Sequence, residues 1–198
     1  MRKFTSKLIL FMICTAIAFT GVTTALAATD LTIVTGGQKG NYYKAAANMV
    51  DLFKKGDTIF KWSIKPQQGK GSTDILKFMV KEKLPLAIAQ SNVVDREYSA
   101  GTESLRVVIA LFPEEREGPN VYAILTTRAD VSEDTIYELS KLLMENKTKL
   151  GVMDSNIKKA DWLATPVIGV ERAKVHKGAV KYYLEQGIEI PSKLIPND

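Results

Sequence analysis

Apolar and polar positions along the chain change period several times. LTIV (31–34) is a short apolar run, and from Asn41 to Lys55 the residues Tyr42, Ala46, Met49, Val50 and Phe53 recur three and four apart. The first predicts a strand and the second an amphipathic helix that stops at Lys54-Lys55-Gly56. Thr58–Lys65, with Ile59, Phe60, Trp62 and Ile64, predicts a second strand. Ser72 is expected to cap a helix carrying Ile75, Leu76 and Met79. LPLAIA (84–89) predicts a third strand, and Ser91–Ala100 a third helix stopped by Gly101.

LRVVIALF (105–112) is almost unbroken in apolar residues, the pattern of a strand covered on both faces. PEEREGPN (113–120) is a loop dense in turn residues and charge, its Glu114-Glu115-Arg116-Glu117 run expected in solvent. VYAILTT (121–127) is another buried strand. Ser132 is expected to cap a long helix with Glu133 and Asp134 in its first turn and Lys147 and Lys149 in its last, an order that suits the helix dipole. Shorter helices are expected around Ser155–Ala164 and His176–Gln186, the second closed by Gly187. The alternation predicts an α/β fold in three layers, a mostly parallel sheet flanked by helices.

The first 27 residues break this pattern. MRKFTSK is basic, LILFMICTAIAF is apolar but short, and Ala25-Leu26-Ala27 offers a small-x-small cleavage site. This reads as a secretory signal peptide. A membrane anchor fits less well, because Thr-Gly-Val-Thr-Thr interrupts the run before about 18 apolar residues accumulate. Cys14, the only cysteine, lies inside the run, which argues against a lipoprotein. Residues 28–198 then form one domain of about 170 residues, enough for a real core without disulfides. Loss of Arg2, Lys3 and Lys7 takes the formal net charge from +5 to near neutrality, which disfavours nucleic acid as a partner. Export places the protein in the periplasm.

TGGQKGNYY (35–43) carries three glycines in five positions, costly to order unless something requires them. It is not a phosphate loop, since Asn41 follows Gly40 where a lysine is needed, and QQGKGST (67–73) lacks the earlier glycine. The dinucleotide pattern fails because Gly36 and Gly37 are adjacent. One arrangement does recur: IVT-GGQKGN-YY, IKP-QQGKGS-TDIL and AIA-QSN-VVDRE each pass from strand through small or polar residues into helix. In a parallel sheet such turns gather at the carboxyl edge, where open α/β folds bind ligands and helix N-termini favour anions. Thr35, Gly36, Gly37, Gly40, Asn41, Gly71, Ser72, Thr73, Gln90, Ser91 and Asn92 are the candidate binding residues there, for a small carboxylate or other small anion. Each turn taken singly is also explained by ordinary helix capping.

TGGQKGNYY, QGKGSTDIL, LAIAQSNV and LRVVIALFPE resemble, in order, the first lobe of TAXI-family solute receptors of TRAP transporters. VYAILTTRADVSEDTIYELSKLLMEN and HKGAVKYYLEQG resemble that family's closing segment. The resemblance implies a type II periplasmic-binding fold whose two lobes close on a small acid and dock on a membrane permease. It also adds Tyr42 and Tyr43 as cleft residues. The family carries a second lobe between its equivalents of LRVVIALF and VYAILTT, where this chain has only PEEREGPN. A single lobe is therefore expected. The family's usual Asp after Gln-Ser is Asn92 here, Lys44-Ala45-Ala46 replace its small residues, and Lys177 stands where proline is usual.

A lone wall leaves much of a ligand in water, so binding by the monomer is expected to be weak, roughly millimolar. A TRAP permease, another periplasmic protein or a second copy of the chain is the expected partner. The alternative is an interaction module that has lost solute binding. No enzyme is expected, and no metal or cofactor: His176 is the only histidine, has no cysteine partner and starts a helix, so it reads as structural. Trp62 and Trp162 read as core residues, and Asn146-Lys147-Thr148 matches a glycosylation sequon but follows a bacterial-type leader.

Overall fold

A computed structural model describes residues 28–54, 59–67, 71–162 and 164–197. The expectations for the leader, for Lys55-Gly56 and for the start of the second strand at Thr58 lie outside these residues. Among the described residues no helix is long and apolar enough to cross a membrane.

Five strands form one sheet: β1 (Thr29–Thr35), β2 (Phe60–Pro66), β3 (Leu86–Gln90), β4 (Leu105–Pro113) and β5 (Tyr122–Arg128), in the order β2-β1-β3-β5-β4. β1 pairs parallel with β2 and β3, and β5 pairs antiparallel with β3 and β4. Four strands thus point one way and β5 alone runs back between β3 and β4. The α/β class and the flanked sheet are as expected, but the sheet is mixed. The cause is local: β4 and β5 are joined by a short loop rather than a helix, so they form a hairpin, and only a crossover helix makes neighbours parallel.

Helices α1 (Asn41–Lys54), α2 (Ser72–Lys81) and α3 (Ser91–Ser99) follow β1, β2 and β3. The β1-to-β2 and β2-to-β3 steps move in opposite directions across the sheet. The right-handed crossover rule therefore places α1 and α2 on opposite faces. Each helix buries one stripe, Ala45, Ala46, Met49, Val50 and Phe53 in α1, and Ile75, Leu76 and Met79 in α2. Both faces of the middle strands are covered, and eight of the nine residues of β4 are buried. Trp62 and Trp162 are core residues, as their apolar surroundings predict.

β4 is an edge strand, yet its outer side does not face water. Val107 N–H donates to the Lys174 carbonyl at 2.9 Å, His176 N–H to the Val107 carbonyl at 2.9 Å, and Ala110 N–H to the Pro166 carbonyl at 2.7 Å. The later chain covers the edge that an antiparallel hairpin would otherwise leave open.

The C-terminal helices depart from the sequence pattern in two places. α4 (Glu133–Glu145) is capped by Ser132, whose hydroxyl accepts the Thr135 N–H at 3.2 Å. It ends at Asn146, whose side-chain amide donates to the Leu142 carbonyl at 2.9 Å and competes with further helix. Lys147 and Lys149 therefore belong to a separate helix, α5 (Lys147–Met153). The segment expected to be helical from Ser155 to Ala164 holds only α6 (Ser155–Lys158), capped by Asp154. Beyond it, the Asp161 side chain accepts the Ala164 N–H at 3.2 Å, a turn that carries the fully buried Trp162 into the core. α7 (Lys177–Glu185) is capped by His176, and Gly187 follows it at φ 72°.

Candidate functional site

Because β1, β2, β3 and β4 point the same way, their carboxyl ends share one edge of the sheet. Gln90, at the end of β3, lies opposite Ala123 of β5, and Ala123 lies opposite Phe112 near the end of β4. The turns leading into α1, α2 and α3 therefore gather at this edge, and the β4–β5 loop leaves from it too. A cleft of about 380 Å³ opens there. Gly36, Gly40, Asn41 and Tyr42 line it from the first turn, Gly71 and Ser72 from the second, and Gln90 from the third. Gln67 and Ile75 complete that wall, and Glu114 and Glu117 face it from the β4–β5 loop.

The turn chemistry explains the shape. Gly40 N–H donates to the Gly37 carbonyl at 2.9 Å, and a Cβ on Gly40 would stand 3.2 Å from that oxygen, so a side chain there crowds the turn. Gly71 adopts φ 104°, a conformation L-residues avoid, and it precedes α2 directly. Ser72 is therefore the first residue of α2 and not its cap. Its hydroxyl accepts the Gln90 N–H at 3.0 Å instead, tying the α2 start to the end of β3. Neither α2 nor α3 has a side-chain cap, which leaves first-turn N–H groups at the cleft edge without one.

Tyr42 joins these pieces. Its ring packs against Phe112 with centroids 6.3 Å apart, and Tyr42 lines the cleft together with Ser72 and Glu114. Burial, reinforced by the Glu114 charge, pushes the Tyr42 phenol well above its ordinary range. Burial likewise raises the Glu114 carboxyl; the nearby Tyr42 phenol opposes that shift and Glu117 adds to it.

The other residues expected at the site lie elsewhere. Thr35 is fully buried and its hydroxyl donates to the Gly36 carbonyl. Gly37 supplies its carbonyl to the turn and does not line the cleft; nor does Tyr43. The Thr73 hydroxyl meets Arg96 at 2.7 Å and Glu97 at 3.3 Å. Ser91 is buried and its hydroxyl accepts the Tyr122 N–H at 3.1 Å. Asn92 lines a separate hollow of about 510 Å³ with Arg96, Asn120 and Arg172. That hollow is larger, but its buried polar side chain, Asp95, is already engaged by backbone N–H groups of Glu171–Ala173. These polar residues serve the architecture, because strand–turn–helix junctions need partners for their own backbone.

Glu114 and Glu117 were expected in solvent with the rest of their charged run. Of that run Glu115, Arg116 and Glu117 are exposed as expected, Glu115 pairing with Lys159 at 2.8 Å, and Glu114 is half-buried. The Glu117 N–H donates to the Glu114 carbonyl at 2.9 Å, and this turn brings both of the other glutamates to the cleft. The signal available in sequence was their position right after the β4 strand, since a parallel β4 must end at the ligand edge. Among the described residues that line the cleft there are two acids and no base. Among the described residues no group of His, Cys, Asp and Glu side chains is arranged to hold a metal ion.

The cleft lies at the carboxyl edge of the sheet, the place where open α/β folds bind ligands. Residues 120–187, from the end of the β4–β5 loop through α7, match the model of the NMT1-like family, a periplasmic binding-like family. The match covers the sheet's β5 and the C-terminal helices and stops short of the glycine turns. No curated protein matches the chain.

Proposed function

We propose that this chain is an exported, one-lobed relative of the TAXI-type solute receptors of TRAP transporters, and that its cleft takes a small carboxylate-bearing solute. The observation that carries this reading is that four chain segments meet in one cleft at the carboxyl edge of the sheet, with Tyr42, Ser72, Gln90 and Glu114 among the residues that line it. Hydroxyl and backbone N–H donors there suit a carboxylate. The NMT1-like match over residues 120–187 supports the same class from the other end of the chain. The two glutamates favour a solute that also carries a donating or cationic group, for which they are acceptors. The opposing wall of the solute would come from a partner: a TRAP permease, another periplasmic protein or a second copy.

Calorimetry of the exported chain with small mono- and dicarboxylates and amino acids tests this reading, with mass measurement in parallel. A carboxylate is expected to bind at roughly millimolar strength, and Tyr42→Phe to weaken it about tenfold, the scale of one hydrogen bond. Absence of binding by every compound would overturn it. A second reading, an interaction module without solute binding, draws on Glu114 and Glu117, which already line the cleft with carboxylates from the chain itself.

A further inference from the structure

We infer that the outer edge of β2 is a docking site for an acidic extended segment of another protein, which adds to the sheet as a further strand with carboxylates set against Lys61 and Lys65.

β2 bounds one side of the sheet and β4 the other. The β4 side is covered by the chain around residues 166–176, whereas among the described residues no segment pairs with the outer side of β2. The Ile59 carbonyl accepts the Thr29 N–H at 3.0 Å, and the Gln67 N–H donates to the Thr35 carbonyl at 2.8 Å. With Leu31 beside Trp62 and Ile33 beside Ile64, the register between those two bonds turns the N–H and C=O groups of Lys61, Ser63 and Lys65 toward β1. Trp62 and Ile64 therefore point theirs away from the sheet, and Pro66 adds a carbonyl without an N–H. These groups stand in a row at the spacing that strand addition uses. The chain leaves β2 through Gln67, which lines the cleft, so a docked strand runs alongside it.

The side chains select the occupant. Lys61, Ser63 and Lys65 share the exposed face of β2, while Trp62 on the other face is buried, Ile64 is half-buried, and the strand carries no acid. Four residues apart, the two lysines lie about 13 Å from each other, the reach of residues i and i+4 in a partner strand. Lys65 is held beside the edge by the Phe78 ring, 4.8 Å from its ammonium. Asp30 pairs with Lys61 at 3.6 Å, but both side chains are largely in water, where such a pair is readily exchanged for another. A second copy of the chain fits worse. Laid antiparallel with Trp62 opposite Ile64, two β2 edges set Lys61 against Lys65 twice, and like charges directly opposite destabilise a ladder. Edge lysines discourage indiscriminate pairing, and the same charges favour a strand of opposite sign.

Amide hydrogen exchange of the exported chain, read by NMR, tests this with two capped pentapeptides, Glu-Val-Glu-Val-Glu and Lys-Val-Lys-Val-Lys. In the free chain the Trp62 and Ile64 amides are expected to exchange fast and those of Lys61, Ser63 and Lys65 slowly. The glutamate peptide, at roughly millimolar concentration, should slow Trp62 and Ile64 about tenfold, and the lysine peptide should leave them unchanged. Lys61→Glu combined with Lys65→Glu should reverse that preference. Ile64→Pro removes only an outward N–H, so it should abolish the effect of the peptide while the amides facing β1 stay slow. No slowing by the glutamate peptide, or equal slowing by both peptides, would overturn the docking site. So would Trp62 and Ile64 amides that are slow without peptide: in dilute monomer they would show an edge covered by the chain itself, and only at high concentration with doubled mass, an edge covered by a second copy.

Discussion

Asp95 reaches from α3 to the backbone N–H of Ala173, 2.8 Å from its Oδ1, and the same carboxylate accepts Arg172 N–H at 2.9 Å and Glu171 N–H at 2.8 Å. One side chain thus fixes the turn that leads the C-terminal chain onto the edge of β4. The side chain is buried although it borders the hollow beside α3.

Asp95→Ala is expected to destabilise the fold by on the order of 3 kcal/mol, because three N–H groups lose a charged acceptor at once. Urea denaturation measures it. A change below about 1 kcal/mol would show that the turn holds without the carboxylate.

Gly178 is the contact point between α4 and α7. A Cβ there would fall on the Glu133 carbonyl and stand 2.7 Å from Tyr137 N, both backbone atoms that cannot step aside. Gly178→Ala is expected to cost on the order of 3 kcal/mol or to prevent folding. Soluble yield and midpoint of thermal melting report it.

His176 caps α7 in one tautomer. Its Nδ1 accepts the Gly178 N–H at 3.2 Å, so the proton sits on Nε2, which donates to the Val131 carbonyl at 3.0 Å. Burial lowers the imidazole's pKa, with Arg106 and Lys177 acting in the same direction and the Val131 hydrogen bond and Glu133 opposing. The folded state therefore binds this proton less readily than the unfolded chain. The contribution to stability is complete above about pH 6.5, the unfolded value, and is lost as pH falls through the lower folded value. Melting between pH 7.5 and 5 should drop more for wild type than for His176→Asn, which keeps a capping oxygen and does not titrate. Parallel pH profiles would exclude this role.

Ser72 holds the α2 start to β3, and its hydroxyl is the acceptor for Gln90 N–H. Ser72→Ala should cost about 1 kcal/mol, the loss of a partner for a part-buried N–H at the cleft. Ser72 also lines the cleft, so carboxylate binding and stability should fall together. For Tyr42→Phe, binding alone should fall. Paired melts and titrations of the two variants separate those outcomes.

Much of this fold was legible in the order of apolar runs. The unbroken LRVVIALF announced a doubly covered strand, and Ser132 with Glu133 and Asp134 announced the start of α4. The antiparallel insertion of β5 was not legible, since strand order depends on which edge the hairpin meets, a tertiary choice that local pattern does not encode. Asn146 as a helix end was hidden because its effect rests on a side-chain contact one turn back. At the cleft, residues of all three strand–turn–helix junctions lie side by side because the strands that feed them are parallel. Thr73 and Ser91 were not separable from Ser72 by residue type, because hydroxyls that bind a ligand and hydroxyls that tie backbone look alike in sequence. Glu114 was missed for the opposite reason: charge in a loop suggests water, and only the hairpin's exit point reveals that this residue is half-buried beside the cleft.

The seam between β4 and residues 166–176 has a consequence for synthesis. Val107, His176 and Ala110 complete their pairing only when the last portion of the polypeptide has been made and delivered. Until then a nearly all-apolar strand presents bare amides and carbonyls, the shape that recruits other chains. A ribosome-stalled or clipped product ending near residue 165 should therefore precipitate, although every residue of the cleft described here is already present in it.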